Sequence, residues 1–98
     1  MNIQALMKQA QSLQKDMMNA KEEIDNETFE GVSSFVRVEV KGTKEVLKVE
    51  INNDEFSADD KEMIEDMVVI ALNDAFKKVD KKTEEKMGKF SNAMPGMF

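Results

Sequence analysis

The chain of 98 residues has no cysteine, histidine, tryptophan or tyrosine, one proline and four glycines. Each absence closes a class of function. Without Cys or His there is no zinc finger, iron–sulfur centre, thiol nucleophile or Ser-His-Asp triad. A disulfide framework is excluded too. A small secreted chain with a thin core would ordinarily need one, so the composition points to the cytoplasm. The longest dense apolar run, Met67 to Leu72, is six residues, against the ~18 that a spanning helix needs. The segment from Met1 to Lys8 has neither the basic nor the apolar region of a signal peptide. A soluble intracellular protein with no membrane association is the expectation. The glycines stand singly at 31, 42, 88 and 96, so no phosphate-cradling GxGxxG or Walker-A loop exists.

What is present begins with a helix. Ile3, Leu6, Ala10, Leu13, Met17, Ala20 and Ile24 recur at alternating spacings of three and four, an unbroken heptad with polar residues between. No Gly or Pro interrupts it before Gly31. A helix of this length reaches roughly 33 Å, whereas a five- or six-residue strand covers about 20 Å. The seam therefore outruns any small sheet it packs on. Its residues Ile3, Leu6, Ala10, Leu13 and Met17 are expected at an interface with a second copy of the chain.

From Thr28 the period changes to two. Val32, Val36, Val38 and Val40 are expected on one face and Phe35, Arg37, Glu39 and Lys41 on the other. After a turn at Lys41-Gly42-Thr43-Lys44, Leu47, Val49 and Ile51 alternate with Val46, Lys48 and Glu50. Two alternating runs around a Gly-containing loop predict an antiparallel hairpin with one buried face. Thr28-Phe29-Glu30 adds a short preceding strand, with Gly31 at the bend. The mixed charges of Arg37, Glu39, Lys48 and Glu50 read as cross-strand pairs on a solvated face.

Ser57 is a candidate N-cap for a second long helix, with Asp60 three residues on. Met63, Ile64, Met67, Val68, Ala71, Leu72, Ala75, Phe76 and Val79 give it a wide apolar face. Beyond Val79 the apolar supply falls to Met87 and Phe90, and six lysines between 77 and 89 take over. The overall net charge of −6 conceals a polarised chain: residues 19–66 carry −9 and residues 77–89 carry +3. The lysines admit two readings. They complement the helix dipole and pair with neighbouring Glu, or they form a basic arm for phosphates.

Other chemistries fail on the residues. The acidic stretch from Asn52 to Asp60 lacks the central Gly and terminal Glu of an EF-hand. The carboxylates lie on solvated faces with nothing to raise a pKa, so acid–base catalysis is not expected. Of the nine methionines, Met17, Met63 and Met67 lie at core spacing, and gap-filling is the expected role. No cofactor, metal or small-molecule substrate is indicated. One domain over residues 1–90 and a flexible tail over 91–98 are expected.

Met7-Lys8-Gln9-Ala10-Gln11, the run Asp59-Asp60-Lys61-Glu62-Met63-Ile64-Glu65-Asp66-Met67-Val68 followed by Ala71-Leu72-Asn73-Asp74-Ala75, and the ending Pro95-Gly96-Met97-Phe98 carry a resemblance. Together they resemble the bacterial YbaB/EbfC family of nucleoid-associated proteins, over nearly the whole chain. The resemblance implies an α+β fold: a long N-terminal helix, a short antiparallel sheet of two to three strands and a long C-terminal helix, in an intertwined homodimer. It implies a non-enzymatic protein that binds double-stranded DNA with little sequence preference and modulates nucleoid organisation and gene expression. Carried onto this chain, the DNA-contacting residues would be Lys8, Lys15, Lys77, Lys78, Lys81, Lys82, Lys86 and Lys89. The chain keeps one glycine, Gly31, where the family has a Gly-rich stretch before its second strand, and lacks the family's Gly-rich N-terminal lead. The alternative class is a dimeric protein–protein adaptor without DNA binding, built on the acidic middle.

Overall fold

A computed structural model describes residues 2–93, with the side chains of all of these except 89 and 91–93. The order is α1 (Ile3–Asn26), β1 (Thr28–Ser33), β2 (Val36–Lys41), β3 (Val46–Ile51), a single 3-10 turn (Ala58–Asp60) and α2 (Lys61–Ala93). This is the α+β arrangement expected, with three strands in the antiparallel order β1-β2-β3. The helix α2 runs through Ala93, past the boundary placed at residue 90. The tail expected from residue 91 lies, from 94 onward, outside the described residues.

Local chemistry accounts for the helix ends. The Asn2 side-chain oxygen accepts the backbone N–H groups of Gln4 and Ala5, which have no partner inside the helix. At the other helix, the Ser57 N–H donates to the Asp60 carboxylate at 2.9 Å and tightens the entry turn.

The principal core is thin. Val36, Val38 and Val40 of β2 are fully buried against Ala71, Ala75 and Val79 of α2. Phe29, Phe35, Met67, Val68, Leu72 and Phe76 close its margins. The helix lies against β1 and β2, so Val49 and Ile51 of β3 stay 44% and 40% exposed although they share the inner face with Val38 and Val36.

Three features depart from simple alternation. The two-residue turn at Ser34-Phe35 pairs Ser33 with Val36, so Phe29, Gly31 and Ser33 share the inner face and Val32 lies outside, opposite Arg37. Val32 was expected inside; the tight turn reverses the parity that a continuous strand would keep. Gly31 marks no bend: β1 continues through it, and the turn falls at Ser34, whose φ is 53°. A bulge between Glu39 and Val40 sets Val46, rather than Leu47, opposite Val40.

A second, smaller core joins the helices beyond the sheet. Ile24 of α1 packs with Met87 and Phe90 of α2, and Leu13, Met17 and Ala20 border them. The two late apolar residues of α2 are therefore the seat of α1. The molecule measures 72 × 19 × 14 Å with a radius of gyration of 19.5 Å, against about 13 Å for a compact chain of this length. The two helices project well past the sheet.

Candidate nucleic-acid interface

Apart from Lys61 at its start, the lysines of α2 begin at Lys77, close to its last sheet-facing residue, Val79. Lys77 and Lys81 stand one turn apart, as do Lys78 and Lys82, so the four make two adjacent rows along the helix. Lys77 and Lys81 are exposed and Lys82 half-buried, and none of the three has a carboxylate within 4 Å among the described residues. Lys77 acts on Asp74 and Lys82 on Glu23 only from beyond ion-pair distance, as minor contributions to holding those carboxyls low.

Lys78 and Lys86 are engaged inside the chain. The Lys78 ammonium donates to the Glu30 carbonyl oxygen at 2.7 Å and lies 3.4 Å from Asp74. Asp74 in turn accepts the Val32 N–H at 3.2 Å. That N–H, with help from Lys78, holds the Asp74 carboxyl below its ordinary range. Lys86 pairs with Glu23 at 2.6 Å and so ties α2 to α1 beside the second core. The contact keeps the Glu23 carboxyl below, and the Lys86 ammonium above, their ordinary ranges.

On α1, Lys8 and Lys15 are exposed seven residues apart, on one face of the helix, and form no ion pair among the described residues. The Lys89 side chain lies outside the described set. The seam of α1 divides. Leu13 and Met17 pack against the chain's own α2, whereas Ile3, Leu6 and Ala10 are exposed.

Sequence reasoning passed over Lys44. It sits at φ 71° in the β2–β3 turn, 2.9 Å from Asp80 and 6.0 Å above the Phe76 ring. The pair offsets one of the three acids interleaved with the lysine rows. Its signal in the sequence was only a lysine in a turn; the fold alone brings it to α2.

The charged groups on the outer face of the sheet pair with one another. Arg37 reaches Glu30 and Glu39 at 2.7 Å and Glu50 at 3.3 Å, one from each strand. Glu30 first, then Glu39, raises the guanidinium's proton affinity further. Lys48 also pairs with Glu50. Two cations thus face three carboxylates, and all five are engaged with one another. Among the described residues no group of three or more acids could hold a metal ion, and no helix is long and apolar enough to cross a membrane.

A short antiparallel sheet, two helices outrunning it and a lysine-bearing projection define a small α+β protein. The chain belongs to the YbaB/EbfC DNA-binding family, whose model matches residues 1–94. A nucleoid-associated protein of Lactococcus lactis subsp. cremoris is 45% identical over 97% of this chain and 98% of its own. One from Ligilactobacillus salivarius is 40% identical over 99% and 95%. An uncharacterised protein from Helicobacter pylori shares the fold, with a TM-score of 0.68 at 21% identity over 92% of this chain and 97% of that one.

Proposed function

We propose that this chain is a non-enzymatic, nucleoid-associated protein of the cytoplasm that binds duplex DNA as a homodimer with little sequence preference. Lys77, Lys81 and Lys82 are its principal phosphate contacts, and Lys8 and Lys15 are secondary ones. The observation that carries the reading is that Lys77, Lys81 and Lys82, in a member of a DNA-binding family, form no ion pair within 4 Å among the described residues. Contacts from flexible ammonium groups to phosphates position a protein on DNA without reading bases. The acidic stretch 19–66 must turn away from the duplex, since two copies carry a net −12, twice the −6 of one. A part in organising the nucleoid, and through it in gene expression, follows from such coating.

The test is fluorescence anisotropy of a random-sequence duplex at several salt concentrations. Each lysine that neutralises a phosphate steepens the fall of log K with log salt by about 0.9. The Lys77→Gln/Lys81→Gln/Lys82→Gln variant should bind more weakly and lower that slope by roughly 2 to 3 per protomer engaged. Equal binding by the variant would remove these residues from the interface. No binding by the wild type at low salt would leave the adaptor reading, in which the acidic middle meets a protein partner.

A further inference from the structure

The seam of α1 is covered over only part of its length. Leu13 is the outermost seam residue that packs against the cluster of Ile24, Met87 and Phe90. Beyond it, toward the end of the projecting arm, Ala10, Leu6 and Ile3 are exposed, Leu6 to 50% and Ile3 to 69%. A helical arm without tertiary packing is marginal in water. The direction of α2 is informative here. Helix α1 reaches the sheet at its C-terminal end, where β1 follows, whereas α2 leaves the sheet after Val79 and meets α1 only then. The two helices are therefore antiparallel, and each further residue of α2 advances along the seam from Ile24 toward Ile3. The helix continues through Ala93, about 4.5 Å past Phe90.

We propose that the occupant of the exposed seam is the chain's own ending, residues 94–98, lying along α1 as an extended strap. Reach supports it. Leu6 is roughly 10 Å beyond Leu13 along the helix, and Met94-Pro95-Gly96-Met97-Phe98 spans up to about 17 Å when extended. Pro95 favours that path, because it disfavours helical backbone at the residue before it and withholds an N–H. Composition supports it too. From Ser91 to Phe98 no residue is charged, and Met94, Met97 and Phe98 are large and apolar, as a seam of Leu and Ala requires. Ala10 leaves a recess between Leu6 and Leu13 that a flexible methionine side chain fills, and Phe98 then rests on Leu6. The strap thus prolongs the second core toward the tip of the arm. Lys8 and Lys15 stand two residues from Leu6 and Leu13, about 200° round the helix. Their ammonium groups stay open to solvent while the strap holds the arm that bears them. The inference concerns one chain and depends on neither the homodimer nor the DNA reading.

The chain has no cysteine, so paired cysteines report the contact directly. Ala10→Cys with Met97→Cys, treated with a short bismaleimide at low protein concentration, should give an internal link, read by mass spectrometry of the digested chain. Ser12→Cys with Met97→Cys is the control. Position 12 lies about 200° round α1 from position 10, and it should link several-fold less. Equal linking at both positions is what an unattached tail gives, and it overturns the strap. A mixture of the two single variants, Ala10→Cys and Met97→Cys, should give no covalent dimer. A dimer there in place of the internal link would seat the tail on another copy and overturn the proposal as well. A second readout leaves α1 untouched. In Met97→Ser/Phe98→Ser, hydrogen exchange at the amides of residues 6–13 should quicken about tenfold, because the packing of two large side chains is lost. The amides of β2 should keep their protection. Unchanged exchange over residues 6–13 would overturn the strap.

Discussion

Replacing Gly31 by alanine probes how α2 is seated. A Cβ at position 31 would fall 1.9 Å from the Ala71 carbonyl oxygen, 2.7 Å from the Ala75 nitrogen and 2.9 Å from the Ala75 Cβ. Ordinary contact begins at 3.4 Å, so helix and strand must part by about 1.5 Å at this point. Two of the three obstructing atoms are backbone, and no rotamer change relieves them. A radial gap of roughly 0.5–1 Å already forfeits a quarter to a half of a dispersion contact. Here the gap opens along Val36, Val38 and Val40 against Ala71, Ala75 and Val79, the whole principal core. Overpacking ordinarily costs about 1–3 kcal/mol, and an obstruction by backbone belongs at about 3 kcal/mol. The unfolded-chain entropy removed by alanine returns only about 0.4–1 kcal/mol. Each kcal/mol moves Tm by about 4–8 °C in a domain of this size, so a fall of about 10–20 °C is expected. Far-UV circular dichroism during thermal and urea unfolding, at one fixed protein concentration, measures it. A change below about 1 kcal/mol would refute the close seating of α2 on the β1 backbone.

Gly88 is the natural counterpart, because a Cβ there meets nothing within 4 Å and the residue lies inside α2. Gly88→Ala should stabilise by about 0.5–1 kcal/mol in the same assay. Asp74→Ala with Lys78→Ala frees the Val32 N–H and the Glu30 carbonyl on β1, and light scattering should reveal species larger than those of the wild type. The Asp74 carboxyl is held below its ordinary 3.8, so its contribution is present above that pH and is lost as pH falls through the depressed value. The Tm difference between wild type and Asp74→Asn should accordingly persist at neutral pH and shrink in acid. The Glu23–Lys86 tie behaves as a window. Glu23 lies below its ordinary 4.5 and Lys86 above its ordinary 10.5, so the tie is complete between those values and fails as pH leaves the window on either side. A Glu23→Gln/Lys86→Met double-mutant cycle should show coupling at neutral pH and none at strongly acid pH, and salt should weaken it.

Periodicity and residue chemistry were sufficient for the elements themselves. The heptad from Ile3 to Ile24 and the apolar face of α2 through Val79 are helical because side-chain spacing of three and four places them on one stripe. The alternation of Val36, Val38 and Val40 with Arg37 and Glu39 fixed β2 and its buried face for the corresponding reason. The lysine rows on α2 were equally legible, since they need only the helix. Contacts between elements were not. Nothing local tells that Gly31 serves a helix 40 residues away in sequence, at Ala71.

The same division holds for the candidate site. Sequence placed all the lysines together and could not rank them, because Lys78 and Lys86 are occupied by Glu30 and Glu23, partners 48 and 63 residues distant. It likewise placed Val32 on the wrong face, since a two-residue turn reverses parity without leaving a mark in the alternation. Composition alone settled that the chain has no thiol, imidazole or disulfide chemistry, and patterning settled its helices, strands and charge polarity. Tertiary structure decided which lysines pair within the chain and which half of the α1 seam is covered. Those depend on the distance between groups remote in sequence, and only the packing of α2 on β1 and β2 sets that distance.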